Sequence, residues 1–125
     1  MTAAQYRTPK NEKELQAQIV KTAKQFGWRV SHYPYALGAD PGYPDLTCFH
    51  PEYDKLWIEC KGPKAPIRPA QVECLAAINA GPTGLGIMAF PDDLDAVCRL
   101  LAGQPVEIYE DTRIGVLRVR LIERQ

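Results

Sequence analysis

Asp45-Leu-Thr-Cys-Phe-His50 and Leu56-Trp-Ile-Glu-Cys-Lys61 are two largely apolar runs separated only by residues 51–55. A link this short joins antiparallel strands, because a parallel pair needs a crossover of a dozen or more residues. Strands send alternate side chains to opposite faces. Leu56, Ile58 and Cys60 therefore share one face, which can enter a core, while Trp57, Glu59 and Lys61 share the other. Asp45 opens the first run directly after Gly42-Tyr-Pro44. Antiparallel pairing sets the start of one strand beside the end of its neighbour, so Asp45, Glu59 and Lys61 are expected to converge.

The flanking sequence supplies the rest of a domain. Residues 1–10 read as a loose arm and 11–125 as the folded unit. Leu15, Ile19, Ala23 and Phe26 recur at helical spacing, so 11–26 is expected to be a helix. Asn11 suits its N-cap, Glu14 the capping-box position and Gly27 its end. Residues 28–33 read as a strand, and 34–44, with three prolines and two glycines, as a loop. Pro69 suits a first helical position, with Gly81-Pro82 closing that helix. A small-residue strand over 84–90, a helix over 92–102 and a terminal strand pair over 106–109 and 116–122 complete the order αβββαβαββ. That order makes an α/β domain with a central mixed sheet flanked by helices.

The chain of 125 residues has the length of one domain, and its 46% hydrophobic content excludes wholesale disorder. Fifteen Lys and Arg balance fifteen Asp and Glu, so a polyanion must be met by a local patch. Such patches exist in sequence. Residues 1–30 carry Arg7, Lys10, Lys13, Lys21, Lys24 and Arg29 against Glu12 and Glu14; residues 55–68 carry Lys55, Lys61, Lys64 and Arg68 against Glu59. Cys48, Cys60, Cys74 and Cys98 form no C-x-x-C pair and have apolar neighbours, as buried thiols of a reducing compartment do. No apolar run approaches the roughly 20 residues that span a bilayer. The polar N-terminus is unlike a signal peptide, so a soluble, intracellular chain with no membrane partner is expected.

Two carboxylates a few ångströms apart repel unless a proton or cation lies between them. Hard oxygen donors of this kind suit Mg²⁺ or Mn²⁺. With Lys61 beside them to stabilise phosphoryl charge, Asp45 and Glu59 would suffice for phosphodiester hydrolysis. Strand-end ion pairs are also common as plain structure, and spacing alone leaves that alternative open.

Pro44-Asp45 followed by Glu59-Cys60-Lys61 resembles the PD-(D/E)XK nuclease signature, and more narrowly the VRR-NUC family of small, often phage-borne nucleases. The resemblance runs from about residue 12 to 103. It takes in Glu12-Lys-Glu-Leu-Gln16, Gly27-Trp28, His32-Tyr33, Gly42-Tyr-Pro-Asp-Leu46, Glu59-Cys-Lys61 and Pro69-Ala-Gln71. It implies a restriction-endonuclease-like fold and a Mg²⁺- or Mn²⁺-dependent DNA endonuclease. It also implies selectivity for branched DNA or Holliday junctions, a homodimer, and a place in the cytoplasm of a bacterium or phage-infected host.

The resemblance gives Asp45 and Glu59 as metal ligands, the Cys60 carbonyl as a further ligand and Lys61 as the catalytic lysine. A first-helix glutamate would reach the metal through water. Periodicity selects Glu12, which continues the buried stripe three residues before Leu15, over Glu14, about 140° around the helix from Ile19. Gln71 sits above the buried face of its helix, four residues before Leu75. The resemblance makes it an active-site glutamine, and a helix-start partner for backbone amides is an equal alternative. Lys64 and Arg68 are expected to contact phosphate, and His32 to flank the site. His50, Arg118 and Arg120 read as solvated surface, and Tyr33, Tyr35 and Tyr43 as loop packing. A nucleic-acid-binding module with this fold but no turnover is the competing function.

Overall fold

The structure, a computed structural model, describes residues 7–32 and 40–123. Helix α1 (Glu12–Gln25) starts where Asn11 Oδ1 accepts from the Glu14 N–H at 2.9 Å, and Gly27 follows it at φ +88°. Three strands come next, β1 (Arg29–His32), β2 (Leu46–Phe49) and β3 (Leu56–Cys60), each antiparallel to the one before. Helix α2 (Pro69–Ala80) then carries the chain across to β4 (Leu85–Ala89), which lies parallel to β3. The parallel pair needs such a crossover, and Pro69 at the first helical turn begins it. A short 3₁₀ turn (Pro91–Asp93) leads into α3 (Leu94–Leu101), and β5 (Glu107–Asp111) and β6 (Val116–Arg120) close the order.

The result is an α/β domain with a mixed four-stranded sheet ordered β1-β2-β3-β4. The terminal pair β5–β6 forms a separate two-stranded sheet, with β6 packed beside β4. Leu15, Ile19 and Ala23 of α1 and Leu94, Val97 and Leu101 of α3 bury one face of the large sheet, against Leu46, Cys48, Leu56, Ile58 and Cys60. On the other face Leu75 of α2 packs on Met88 and Val116. Asn79 clamps the free edge of β4, its amide donating to the Gly86 carbonyl and accepting from the Gly86 N–H, both at 2.8 Å. That satisfies backbone groups that would otherwise offer an open edge.

Several expectations shift in detail. The strand after the loop begins at Leu46, leaving Asp45 just outside it, and the fourth helix-strand boundary is taken up by the 3₁₀ turn. Of the arm 1–10, residues 1–6 lie outside the described residues, whereas Pro9 is buried and the Lys10 N–H donates to Glu14 Oε1 at 3.1 Å. Glu14 thus serves the helix start, one residue earlier than a capping box would have it. His50 is not free surface. It accepts from the Glu52 N–H through Nδ1, bonds the Phe26 carbonyl through Nε2 at 3.0 Å, and packs on Trp28 and Tyr53. Arg118 is likewise no solvated edge, since it is enclosed between Asp93 and Asp111 at 2.8 Å from each. Arg120 does lie outside, paired with Glu107. The thiols of Cys48, Cys60 and Cys98 are buried, and Cys74 is half-buried. Among the described residues no helix is long and apolar enough to cross a membrane.

Candidate active site

The register Leu46↔Ile58 places both side chains in the core. One step along each strand, Asp45 and Glu59 therefore stand opposite one another on the other face. Asp45 is fixed by a hydrogen bond that its Oδ2 accepts from the Cys60 N–H at 2.9 Å. The loop that delivers Asp45 is packed hard on α2. A Cβ on Gly42 would stand 2.1 Å from the Ala70 carbonyl oxygen, and Asp40 Oδ1 accepts from the Gly42 N–H at 2.8 Å. Tyr43 accepts from Trp57 Nε1 at 3.1 Å, so this tyrosine packs the loop, whereas Tyr33 and Tyr35 lie outside the described residues. A backbone carbonyl cannot swing aside, so Gly42→Ala should cost about 1–3 kcal/mol in urea unfolding. A cost near zero would mean that the loop does not rest on α2.

Glu59 and Lys61 are each only 4% exposed. Lys61 Nζ lies 3.9 Å from Glu59 Oε2 and donates to the Pro66 carbonyl at 2.9 Å, which ties the loop 62–68 down over the site. Gln71 performs both roles left open by its position. Its Oε1 accepts from the Arg68 N–H at 3.0 Å, and its Nε2 donates to Glu59 Oε2 at 3.1 Å. One amide thus starts α2 and holds the carboxylate.

Glu12 is exposed at the first turn of α1, and its Cβ stands close to Gly62, beside Lys61. It belongs to the same electrostatic neighbourhood: burial and then the Asp45 charge raise its pKa, and Lys61 opposes them. Lys64 and Arg68 are exposed on the loop after Lys61, and Lys10 and Lys13 are exposed beside Glu12. The two basic segments therefore meet around Gly62. His32 ends β1 next to Leu46, with its Nδ1 3.0 Å from Gln16 Nε2. Gln16 was no candidate from sequence, although it lies one turn beyond Glu12 on the same side of α1, where such a partner belongs.

The acids share an unfavourable environment. Burial, then the Asp45 charge, pushes the Glu59 carboxyl up to about 8, with Lys61 opposing and Glu12 adding to the rise. Burial likewise raises Asp45, against the Cys60 N–H and Lys61. Glu59 therefore prefers its proton in the folded chain, and folding is favoured below the ordinary value of 4.5. That contribution is lost as pH rises through about 8. In EDTA, thermal melts should thus fall from mildly acidic to alkaline pH. Glu59→Gln should flatten that trend and melt higher at alkaline pH, by on the order of 5 °C. A wild-type midpoint independent of pH would contradict this.

Among the described residues no group of three or more His, Cys, Asp or Glu side chains is arranged to hold a metal ion. The donor set is instead two carboxylates, with Glu12 near enough for its charge to act on Glu59. Such a pair fits a hard, largely hydrated cation such as Mg²⁺ or Mn²⁺, and not a soft or fully caged metal. The Cys60 thiol is buried in the core and kept protonated by burial, so only its backbone serves the site. Cavities of about 280 and 550 Å³ lie elsewhere: Trp28, Tyr53 and Leu100 line the first, Pro63, Phe90 and Arg118 the second, and neither is lined by Asp45 or Glu59. No family model, curated protein or solved structure matches the chain.

Proposed function

We propose that this chain is a Mg²⁺- or Mn²⁺-dependent DNA endonuclease on a PD-(D/E)XK domain of the VRR-NUC type. The observation that carries the reading is the facing pair Asp45 and Glu59, half-buried and buried, with Lys61 beside them. A purely structural ion pair needs one acid; here burial and then the Asp45 charge raise the Glu59 pKa, and burial raises that of Asp45. An arrangement that costs stability without a cation is what a cation site requires.

In this reading Asp45 and Glu59 hold the ion, with the Cys60 carbonyl as a further ligand and Glu12 acting through water. The bound ion supplies Lewis-acid activation of the phosphodiester and its attacking water. Gln71 keeps the Glu59 carboxylate aimed by donating to Oε2. Lys61, exchanging the Pro66 carbonyl for a phosphoryl oxygen, stabilises the negative charge that develops there. Lys64 and Arg68 bind flanking phosphates, which gives affinity that falls with salt and carries little sequence information. Two such sites in a homodimer would make paired nicks in a branched junction, in the cytoplasm of a bacterial or phage-infected cell.

Nicking of supercoiled plasmid and of a four-way junction, with Mg²⁺, Mn²⁺ or EDTA, tests this. Cutting with either metal and none in EDTA is expected. Tight binding to every DNA form without cutting would replace the enzyme by the binding module.

A further inference from the structure

The Gln16–His32 hydrogen bond joins α1 to the last residue of β1 at the rim of the acid pair, and nothing in the proposed hydrolysis uses it. As placed, the amide nitrogen of Gln16 faces the ring and only donates, so His32 Nδ1 accepts at 3.0 Å, and this amide orientation assigns the ring proton to Nε2. The His32 ring is exposed, and Nε2 has no partner among the described residues. It also lies near Asp45, whose pKa His32 lowers whenever the ring is protonated. A neutral imidazole whose proton is fixed on the solvent side is a directed donor. The acceptor that a polyanion brings to this rim is a phosphate oxygen.

We propose that Gln16 is a positioning residue, holding His32 as the Nε2–H tautomer so that this N–H donates to a backbone phosphate of DNA beside Asp45. The inference rests on the nuclease reading for its substrate and adds a residue to that site. The opposite polarity at position 16 provides the contrast: a glutamate there accepts from Nδ1–H, so the partner no longer fixes the proton on Nε2.

Long-range ¹H–¹⁵N correlation spectra of the full chain in EDTA, with and without a DNA duplex, read both parts without turnover. The wild type should show Nε2–H at His32, and duplex should shift that resonance. Gln16→Glu should show Nδ1–H and bind duplex on the order of fivefold more weakly, the scale of one hydrogen bond. His32→Gln, whose amide N–H reaches toward the Nε2 position, should bind better than His32→Ala. An Nδ1–H wild type, a tautomer indifferent to Gln16→Glu, duplex bound with His32 unmoved, or no duplex binding would each overturn the proposal. Metal-dependent cutting with His32 unmoved would remove the inference and keep the nuclease. A shifted His32 without cutting in Mg²⁺ or Mn²⁺ would remove the nuclease and keep the phosphate contact.

Discussion

Asp45→Asn protein should nick supercoiled DNA more slowly than wild type by on the order of 10³-fold or more, while melting no lower. The amide retains the size of the carboxylate and an oxygen to accept from the Cys60 N–H, so the local backbone keeps its partner. What it loses is negative charge, and that charge is the part the fold tolerates poorly, since burial raises the Asp45 pKa. Activity and stability should therefore part company at this position. Single-turnover nicking beside thermal melts measures both. Equal cutting by an Asp45→Asn preparation free of contaminating nuclease would refute the assignment. Lys61→Met should lose activity too, but for a different reason: it removes the ammonium that stabilises phosphoryl charge, and it also leaves Glu59 without its positive neighbour.

Arg118→Leu should be the most destabilising single change, at about 3 kcal/mol or more by urea unfolding. Its guanidinium donates to both Asp93 oxygens and to Asp111, and stacks over Phe90 with 4.5 Å from its carbon to the ring centroid. Asp93 in turn accepts from the Phe90 N–H, so the cluster pins β6 to the turn that follows β4. Removing the cation strands the buried Asp93 and leaves the buried Asp111 with Arg113 alone. A loss that is a large share of the usual 5–15 kcal/mol leaves little margin. The same cluster sets an acid limit. Arg113 and then Arg118 hold the Asp111 carboxyl well below the usual carboxylate range. A depressed pKa contributes stability above the unfolded value, and that contribution fades as pH falls below it. Wild-type unfolding should accordingly sharpen in strong acid, and Asp111→Asn, already destabilised at neutral pH, should lose less there. An Arg118→Leu protein as stable as wild type would show that the cluster is not what holds the terminal hairpin.

Where one local pattern governs, the sequence was a sufficient guide. Leu15, Ile19 and Ala23 repeat at helical spacing after a capping asparagine, and α1 follows. The alternation in Leu56-Trp-Ile-Glu-Cys needs only a short turn to imply its partner, and the register then brings Asp45 opposite Glu59. The structure puts Glu14 on the Lys10 N–H and Glu12 by Gly62, exposed and not buried with the stripe it was expected to continue. What stayed hidden depends on contacts between residues far apart in the chain. Arg118 looks like any strand-edge arginine until Asp93, 25 residues away, folds against it. His50 reads as surface until Phe26 and Trp28 supply a carbonyl and a ring. The Gln16–His32 bond joins a helix to a strand end, and no spacing within either element announces it. Gln71 was ambiguous because each alternative described one end of the same amide.

A crystal grown with Mn²⁺ and measured for anomalous scattering locates the cation directly. A peak between the Asp45 and Glu59 carboxylates, within coordination distance of an oxygen from each, is the expected result. Asp45 and Glu59 found with no peak between them, at Mn²⁺ concentrations that support cutting, would contradict a divalent-cation centre on these two strands.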